Sequence, residues 1–318
     1  MHKNRGIDMK NNVQPILDIK DLTISFTQYE KGFCRCELEV IHDLNVTVNP
    51  GEVVAVVGSS GSGKSLLAHA VLGLLPSNCT VSGYLYFNGE LMDSKRIEDL
   101  RGKEIVLVPQ SVTYLDPLEK VGKQVRKERK DKKIVERQKE LFKYYGLKEK
   151  TEELYPFELS GGMARRVLLS ASTIDSPTLI IADEPTPGLH LEAAKKAMQH
   201  FRDFANQGHG VLMITHDIEL ALEVADRIAV FYAGTTLEEA LVSDFSSVDK
   251  LRHPYTKALW HALPQNGFRA SHGTQPYAKN RTNGCPFGSR CDNFCEECNC
   301  HIPMKNVKNG RVRCIKAE

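Results

Sequence analysis

Short runs of apolar and β-branched residues recur along this chain, separated by polar segments that contain glycine and proline. An early group comprises Val46–Val48, Val53–Val57 and Ile105–Val108, with the turn Asn49-Pro50-Gly51 between its first two runs. A later group comprises Leu179–Ala182, Val211–Ile214 and Ile228–Tyr232. Uninterrupted apolar runs of this length are typical of parallel strands buried on both faces, so we expect a parallel sheet.

The stretch between these groups, about residues 111–176, loses the strand pattern and is rich in lysine, glutamate and leucine, which predicts a helical insertion. Strands separated by helical segments predict an α/β fold with a mostly parallel sheet covered on both faces. Residues 1–15 precede the pattern and are expected to be disordered or extended. From about Thr235 the pattern gives way to sequence rich in proline, asparagine and glycine, and residues 235–318 are expected to form a small irregular C-terminal domain.

The length of 318 residues suggests one large domain with a smaller one, and 41% hydrophobic residues are ample for a core. A formal net charge of +2 argues against a dedicated nucleic-acid binder, which would show a basic excess. No run approaches the roughly 18–20 apolar residues that span a bilayer. The first residues, Met1–Gln14, are polar and lack the apolar core of a signal peptide. We therefore expect a cytoplasmic protein whose membrane role would come through partners.

A phosphate-binding loop is predicted where the run Val53–Val57 ends. The segment Gly58-Ser59-Ser60-Gly61-Ser62-Gly63-Lys64-Ser65 matches G-x-x-x-x-G-K-[ST], and a helix is expected from Leu66 to Leu75. The glycines let backbone N–H groups surround phosphate, and the helix N-terminus adds partial positive charge. Lys64 is expected to reach the β- and γ-phosphates and Ser65 to bind Mg²⁺. The expected nucleotide-binding residues thus run from Gly58 through Leu66.

Two adjacent carboxylates follow the apolar run Leu179–Ala182. Asp183 at the end of a strand beside such a loop is expected to hold Mg²⁺. Glu184 is then placed to orient or deprotonate the water that attacks the γ-phosphate, as a general base would.

Three further segments give the chain a specific resemblance. Leu159-Ser160-Gly161-Gly162-Met163 resembles the signature motif of ABC ATPases, Gln110 the glutamine of their Q-loop, and Ile214-Thr215-His216-Asp217 their switch-histidine segment. All elements occur in the family's order, and the resemblance spans about Ile16 to Gly234. It implies an ATPase core, residues 16–234, with a mostly parallel sheet, an antiparallel edge subdomain and a helical insertion.

The resemblance also implies roles for these residues. Ser160, a good helix N-cap, would act with Gly161 and Gly162 on the γ-phosphate held by a second ATPase subunit. Gln110 would ligate Mg²⁺ and report the nucleotide state to a membrane subunit. His216 would contact the γ-phosphate and position Glu184. An aromatic residue upstream of the loop would stack on adenine; Phe26 is our choice and Tyr29 the alternative.

One segment departs from the family pattern. Where the family commonly has Ser-Ala-Leu-Asp after the acidic strand, this chain has Pro187-Gly188-Leu189-His190. His190 supplies no fixed negative charge to the facing subunit. We therefore expect two unequal composite sites and a second, non-identical ATPase as partner, while Lys64 and Glu184 still predict hydrolysis.

The C-terminal part has its own resemblance. His253-Pro254-Tyr255-Thr256-Lys257-Ala258-Leu259, a helix start with proline near its first position, resembles a segment of oligopeptide, dipeptide and nickel importers. Six of nine cysteines follow, as in the cysteine-bearing tail of that subfamily, which carries a [4Fe–4S] cluster in some members. The expected ligands are Cys285, Cys291, Cys298 and Cys314, with Cys295 and Cys300 spare. Zinc on the same four thiolates and free thiols are the alternatives.

The sequence is thus identified as an ATP-hydrolysing subunit of an ABC importer for short peptides or a nickel-type metal complex. The implied partners are a second ATPase, two transmembrane permease subunits and an extracytoplasmic solute-binding protein, with no nucleic acid. Its implied place is the cytoplasmic face of the membrane. Two alternatives stay open: a non-hydrolysing regulatory half of a heterodimer, and a soluble ABC protein of translation or DNA repair.

Overall fold

A computed structural model of the chain describes residues 13–29, 34–59, 61–269, 272–280 and 283–318. Most of the expected disordered N-terminus (residues 1–12) and Ser60 of the predicted phosphate-binding loop lie outside these residues. Within the described ranges, no helix combines the length and the apolar character needed to cross a membrane.

Strands and helices alternate through most of the described chain. The strands are β1 (Leu17–Tyr29), β2 (Arg35–Val48), β3 (Val53–Gly58), β4 (Cys79–Phe87), β5 (Glu90–Leu91), β6 (Ile105–Val108), β7 (Leu179–Asp183), β8 (Gly210–Thr215), β9 (Arg227–Tyr232), β10 (Thr235–Leu241), β11 (Lys305–Val307) and β12 (Gly310–Val312). The helices are α1 (Lys64–Val71), α2 (Ser94–Leu100), α3 (Val121–Val125), α4 (Lys132–Tyr144), α5 (Gly161–Thr173), α6 (Leu191–Asn206), α7 (Ile218–Val224) and α8 (Pro254–His261). Short 3₁₀ turns connect several of them.

The main sheet has eight strands in the order β11-β12-β10-β9-β3-β8-β7-β6. The five from β9 to β6 are parallel, and β10, β12 and β11 continue the sheet with antiparallel pairing. Five of the six runs lie in these parallel strands, whereas Val46–Val48 lies in β2, which is antiparallel. The parallel strands end at the same edge of the sheet, and that edge carries the predicted nucleotide residues.

A second, antiparallel sheet has the order β2-β1-β4-β5 and packs beside the main sheet. Its long hairpin pairs Leu17 with Val48 and Tyr29 with Arg35. This sheet is the expected antiparallel edge subdomain of the ATPase core.

The hydrophobic core lies on both faces of the main sheet. Val53, Ala55 and Val57 of β3 pack into a cluster shared with α5, α6 and α7. Val54 and Val56 point the other way, into a cluster shared with α1 and the antiparallel sheet. Burial of both faces explains why β3 is apolar without interruption.

The helical insertion contains α3, α4 and α5. Helix α5 begins at Gly161 because the Ser160 side chain accepts a hydrogen bond from the backbone N–H of Met163 at 3.3 Å. Ser160 is thus the N-cap that the sequence predicted.

The C-terminal part differs from the sequence expectation. Regular structure does not end near Thr235: β10 begins there, and β12 pairs with it, so the tail adds strands to the main sheet. The strand was missed because Glu238 and Glu239 interrupt its apolar pattern, although both are buried. The predicted helix start is confirmed, since α8 begins at Pro254.

Candidate nucleotide site

The predicted phosphate-binding loop connects the end of β3 to the start of α1. A side chain at Gly58 would place its Cβ 2.2 Å from the carbonyl oxygen of Phe231 on the adjacent strand. Gly63, directly before α1, has φ of 93°, a left-handed conformation that favours glycine. These glycines let the loop turn tightly between strand and helix.

Lys64 is buried at the base of this loop. Its ammonium donates hydrogen bonds to the carbonyl oxygens of Gly58 and Ser59, at 2.9 and 2.8 Å. Burial lowers the pKa of Lys64, and the nearby Glu184 and Asp183 oppose this effect. The Ser62 hydroxyl also donates to the Ser59 carbonyl, at 2.8 Å. The Ser59 carbonyl oxygen therefore accepts hydrogen bonds from two side chains of the loop.

Ser65 and Asp183, the two predicted magnesium ligands nearest the loop, are brought together. The Ser65 hydroxyl donates to Asp183 Oδ1 at 3.2 Å, although 118 positions separate the residues. Burial raises the pKa of Asp183, and the bond from Ser65 opposes the rise. A hydroxyl and a carboxylate side by side are ligands that suit Mg²⁺, so these residues fit the ion.

The two carboxylate oxygens of Glu184 have different surroundings. His216 Nδ1 lies 2.8 Å from Glu184 Oε1. Glu184 Oε2 is buried and has no hydrogen-bond partner among the described residues. The backbone of Glu184 has φ of 46°, which is strained for a residue with a side chain. One oxygen is therefore held by histidine while the other is available to accept a proton.

Gln110 and the signature segment are joined by a residue that the sequence did not reveal. Arg165 of α5 is buried, and its guanidinium donates to the carbonyl oxygens of Pro109 and Gln110. Burial lowers the pKa of Arg165, opposed by Asp183. An arginine inside a helix usually faces solvent, so no pattern in the sequence indicated this contact. It ties the Gln110 backbone to the helix that starts at the signature.

The signature residues lie apart from the loop of their own chain. Ser160 and Gly161 are exposed, and a Cβ at Gly162 would lie 3.4 Å from the Gly188 carbonyl oxygen. Within the described ranges, no hydrogen bond joins Ser160, Gly161 or Gly162 to the phosphate-binding loop.

The other predicted nucleotide residues fall on two elements. Phe26 of β1 is partly buried against the core beneath the antiparallel sheet, whereas Tyr29 is 71% exposed. Leu66 of α1 packs against the same core. Adenine stacking by Phe26 stays a prediction.

His190, which stands where the family commonly has aspartate, stabilises the start of a helix. It is the N-cap of α6, and its Nδ1 accepts a hydrogen bond from the Ala193 backbone N–H at 3.3 Å. Capping uses the ring nitrogen as an acceptor, which a neutral imidazole provides.

The four cysteines predicted as cluster ligands line one cavity of about 340 Å³, namely Cys285, Cys291, Cys298 and Cys314. Cys295 and Cys300 are not among its lining residues. Burial raises the pKa of Cys285 to about 11, and the other three thiols add to the rise. Within the described residues, however, no group of three or more histidine, cysteine, aspartate or glutamate side chains is arranged to hold a metal ion.

These features define a P-loop nucleoside triphosphatase. They are the loop around Lys64, the hydrogen-bonded pair Ser65–Asp183 and the Glu184 carboxylate with one oxygen unpaired among the described residues. A model of the ABC transporter family matches residues 41–187, and one of the oligopeptide/dipeptide transporter C-terminal region matches residues 238–298. The chain belongs to the ABC transporter ATP-binding proteins, and it is an ABC-type ATPase that binds ATP with Mg²⁺.

Relatives and solved structures agree with this family. The oligopeptide transport ATP-binding protein OppD of Salmonella typhimurium is 31% identical, covering 95% of this chain and 93% of its own length. The dipeptide transport ATP-binding protein DppD of Haemophilus influenzae is 31% identical, covering 94% of each chain. A dimeric bacterial ABC transporter cassette, also solved after hydrolysis with ADP and phosphate, superposes with a TM-score of 0.61. At 25% identity it covers 71% of this chain and 98% of its own, and the predicted ATPase fold is confirmed.

Proposed function

We propose that this chain is the ATP-hydrolysing subunit of an importer of short peptides. The observation that carries the proposal is the Glu184 carboxylate, held by His216 through one oxygen and free at the other beside the phosphate-binding loop. The relatives named for oligopeptide and dipeptide transport support peptides as cargo, as does the match to their C-terminal region. A nickel-type metal complex is the second candidate cargo, from the sequence resemblance alone.

The residues act as follows in this proposal. Lys64, held by the Gly58 and Ser59 carbonyls at the base of the loop, binds phosphate oxygens of ATP. Ser65, Asp183 and Gln110 would hold Mg²⁺, which neutralises phosphate charge when bound. Glu184 Oε2 accepts the proton of the attacking water, while His216 keeps the carboxylate oriented.

Ser160, Gly161 and Gly162 would contact the γ-phosphate of ATP held by a second ATPase subunit. The exposure of Ser160 and Gly161 at the N-terminus of α5 supports this, because free N–H groups there suit an anion. We propose that the second subunit is non-identical, on the ground of His190. A functional transporter purified with two copies of this chain and no other ATPase would contradict that part.

The complete importer would add two transmembrane permease subunits and an extracytoplasmic solute-binding protein, with this chain on the cytoplasmic face of the membrane. The test is uptake of a radiolabelled tripeptide and of ⁶³Ni²⁺ by cells that lack this chain. Restoration of peptide uptake by the wild-type chain, and not by Glu184→Gln, is expected. Restoration of nickel uptake alone would replace peptide by a metal complex as cargo. Equal uptake with and without the chain would reject the import function.

We further propose that the C-terminal cysteines, within a domain of residues 235–318, hold a [4Fe–4S] cluster on Cys285, Cys291, Cys298 and Cys314. Their shared cavity supports this, and the lysines in its lining, Lys257 and Lys316, suit an anionic thiolate group. Cys298→Ser should remove visible absorbance and iron from anaerobically purified protein, whereas Cys295→Ser should retain both. Colourless protein with one zinc would replace iron by zinc on the same ligands, and metal-free protein would leave free thiols.

A further inference from the structure

The chain that follows β10 contacts the phosphate-binding loop at Ser59. The Ser59 hydroxyl donates a hydrogen bond to Gln275 Oε1, across 216 positions of sequence. Tyr255 of α8 lies beside the same residue, and the side chain and backbone of Ser59 both act to lower the pKa of its hydroxyl. Gln275 and Tyr255 both lie beyond β10, outside the part of the chain that carries the nucleotide motifs.

Ser59 is also one of the two residues whose carbonyl oxygens hold Lys64 in this structure. Its carbonyl oxygen accepts hydrogen bonds from the Lys64 ammonium and from the Ser62 hydroxyl, both at 2.8 Å. A rotation of the Ser59 peptide would move the acceptor that holds Lys64. The C-terminal contacts therefore restrain the loop residue on which the lysine depends.

Tyr255 is itself held firmly. Its ring packs on Tyr232 and Phe287, with centroid separations of 4.4 and 5.4 Å. Arg290 donates to the Tyr232 hydroxyl at 3.0 Å and to the His272 carbonyl at 2.6 Å, which ties this aromatic group to the segment that carries Gln275. Burial raises the pKa of Tyr255 to about 12, with Tyr232 adding to the rise and Arg290 and Ser59 opposing it.

We propose that Gln275 and Tyr255 are positioning residues of the nucleotide site. They hold Ser59 from outside the loop and, through its carbonyl, keep Lys64 placed for the phosphates. The C-terminal segment thereby contributes directly to ATP affinity. This inference rests on ATP binding at the loop, and it adds residues that no nucleotide motif contains.

The test uses the full-length chain and measures ATP affinity by calorimetry without turnover, in the Glu184→Gln background. Gln275→Ala and Tyr255→Phe should each weaken ATP binding about three- to tenfold, the worth of one hydrogen bond. In the chain with Glu184 intact, each should raise the KM for ATP and leave kcat unchanged, as loss of uniform binding does. Thr274→Ala and Tyr277→Phe, at exposed neighbours on the same segment, are matched controls and should keep wild-type affinity.

A double-mutant cycle separates positioning from a general loss of stability. Ser59→Ala should weaken binding like Gln275→Ala, and the double variant should bind no more weakly than either single variant. Additive effects, wild-type affinity of Gln275→Ala and Tyr255→Phe, or tighter binding by them would each overturn the proposal. If the Glu184→Gln reference binds ATP and Lys64→Ala does not, such a failure concerns Gln275 and Tyr255 alone. A reference that binds no ATP would overturn the nucleotide site as well.

Discussion

The nucleotide site and the C-terminal edge of the main sheet both bury glutamates, and they treat the carboxylate oxygens differently. Glu238 of β10 uses both oxygens: Oε1 accepts from the Arg252 backbone at 2.9 Å and its guanidinium at 3.2 Å, and Oε2 from the His253 backbone at 2.8 Å. Glu184 uses one, toward His216, and Oε2 has no partner among the described residues.

This difference in hydrogen bonding distinguishes a buried carboxylate that stabilises the fold from one that can accept a proton. A saturated carboxylate such as Glu238 is costly to disturb, because removing a partner leaves a buried charge uncompensated. An unsaturated one costs stability but keeps a lone pair for a proton. Arg252 follows the structural pattern, since it also donates to Asp244 at 2.9 Å and to the Val307 carbonyl at 2.9 Å. The comparison predicts that changes at the two glutamates affect different measurements.

The largest effect is expected at the unsaturated carboxylate. Glu184→Gln should lower ATP turnover by about 10²–10⁴-fold because the amide cannot accept the water proton. ATP should still bind, since Lys64 and the loop are unchanged. Phosphate release and equilibrium ATP binding are the measurements, and Lys64→Ala, which should lose binding itself, is the contrasting variant. Near wild-type turnover in Glu184→Gln would show that another group is the base.

A smaller effect, on stability, is expected at the saturated carboxylate. Glu238→Gln should destabilise the fold by about 3–5 kcal/mol. The amide leaves Asp244 as the remaining carboxylate partner of the buried Arg252 guanidinium, and it cannot accept hydrogen bonds at both of its polar atoms as the carboxylate does. Urea unfolding measures the change, and ATP turnover should persist in the folded fraction. Glu136→Gln, at a surface pair 62% exposed on the glutamate side, is the matched control and should change stability little. Equal destabilisation by both variants would contradict the contrast between the two regions.

The smallest effect concerns another buried group, His200 of α6, whose Nδ1 bonds to the Tyr145 hydroxyl and whose ring stacks on that of Tyr145. Burial lowers the pKa of His200 to about 4, with Arg137 adding to the decrease and Asp203 opposing it. Because the unfolded chain binds this proton below about pH 6.5, stability is complete above that pH and falls as the pH drops to about 4. The loss from this residue should be about 3 kcal/mol.

Urea unfolding of wild type and His200→Gln at several pH values measures that loss. The variant should have the flatter profile between pH 6.5 and 4. His301→Gln, at a side chain 62% exposed, is the control and should follow the wild-type profile. Parallel profiles for wild type and His200→Gln would show that His200 takes up its proton without unfolding.

The sequence by itself determined the parallel strands and the order of the ATPase motifs. Val53–Val57, the loop through Lys64 and the pair Asp183-Glu184 are local patterns, in which the strand, turn and helix that each function needs are contiguous. Parallel strands end at one edge of a sheet, so the meeting of Ser65 with Asp183 also followed from the topology.

Only the tertiary structure decided which distant surfaces meet. The sequence did not predict β10, because a glutamate in a sequence is ordinarily taken to be exposed. Glu238 is buried because Arg252, 14 positions later, packs against it in the folded chain. The contacts of Arg165 with the Gln110 carbonyl and of Gln275 with Ser59 join residues 55 and 216 positions apart. Such pairings have no local period or spacing, because they depend on how the insertion and the tail pack against the sheet.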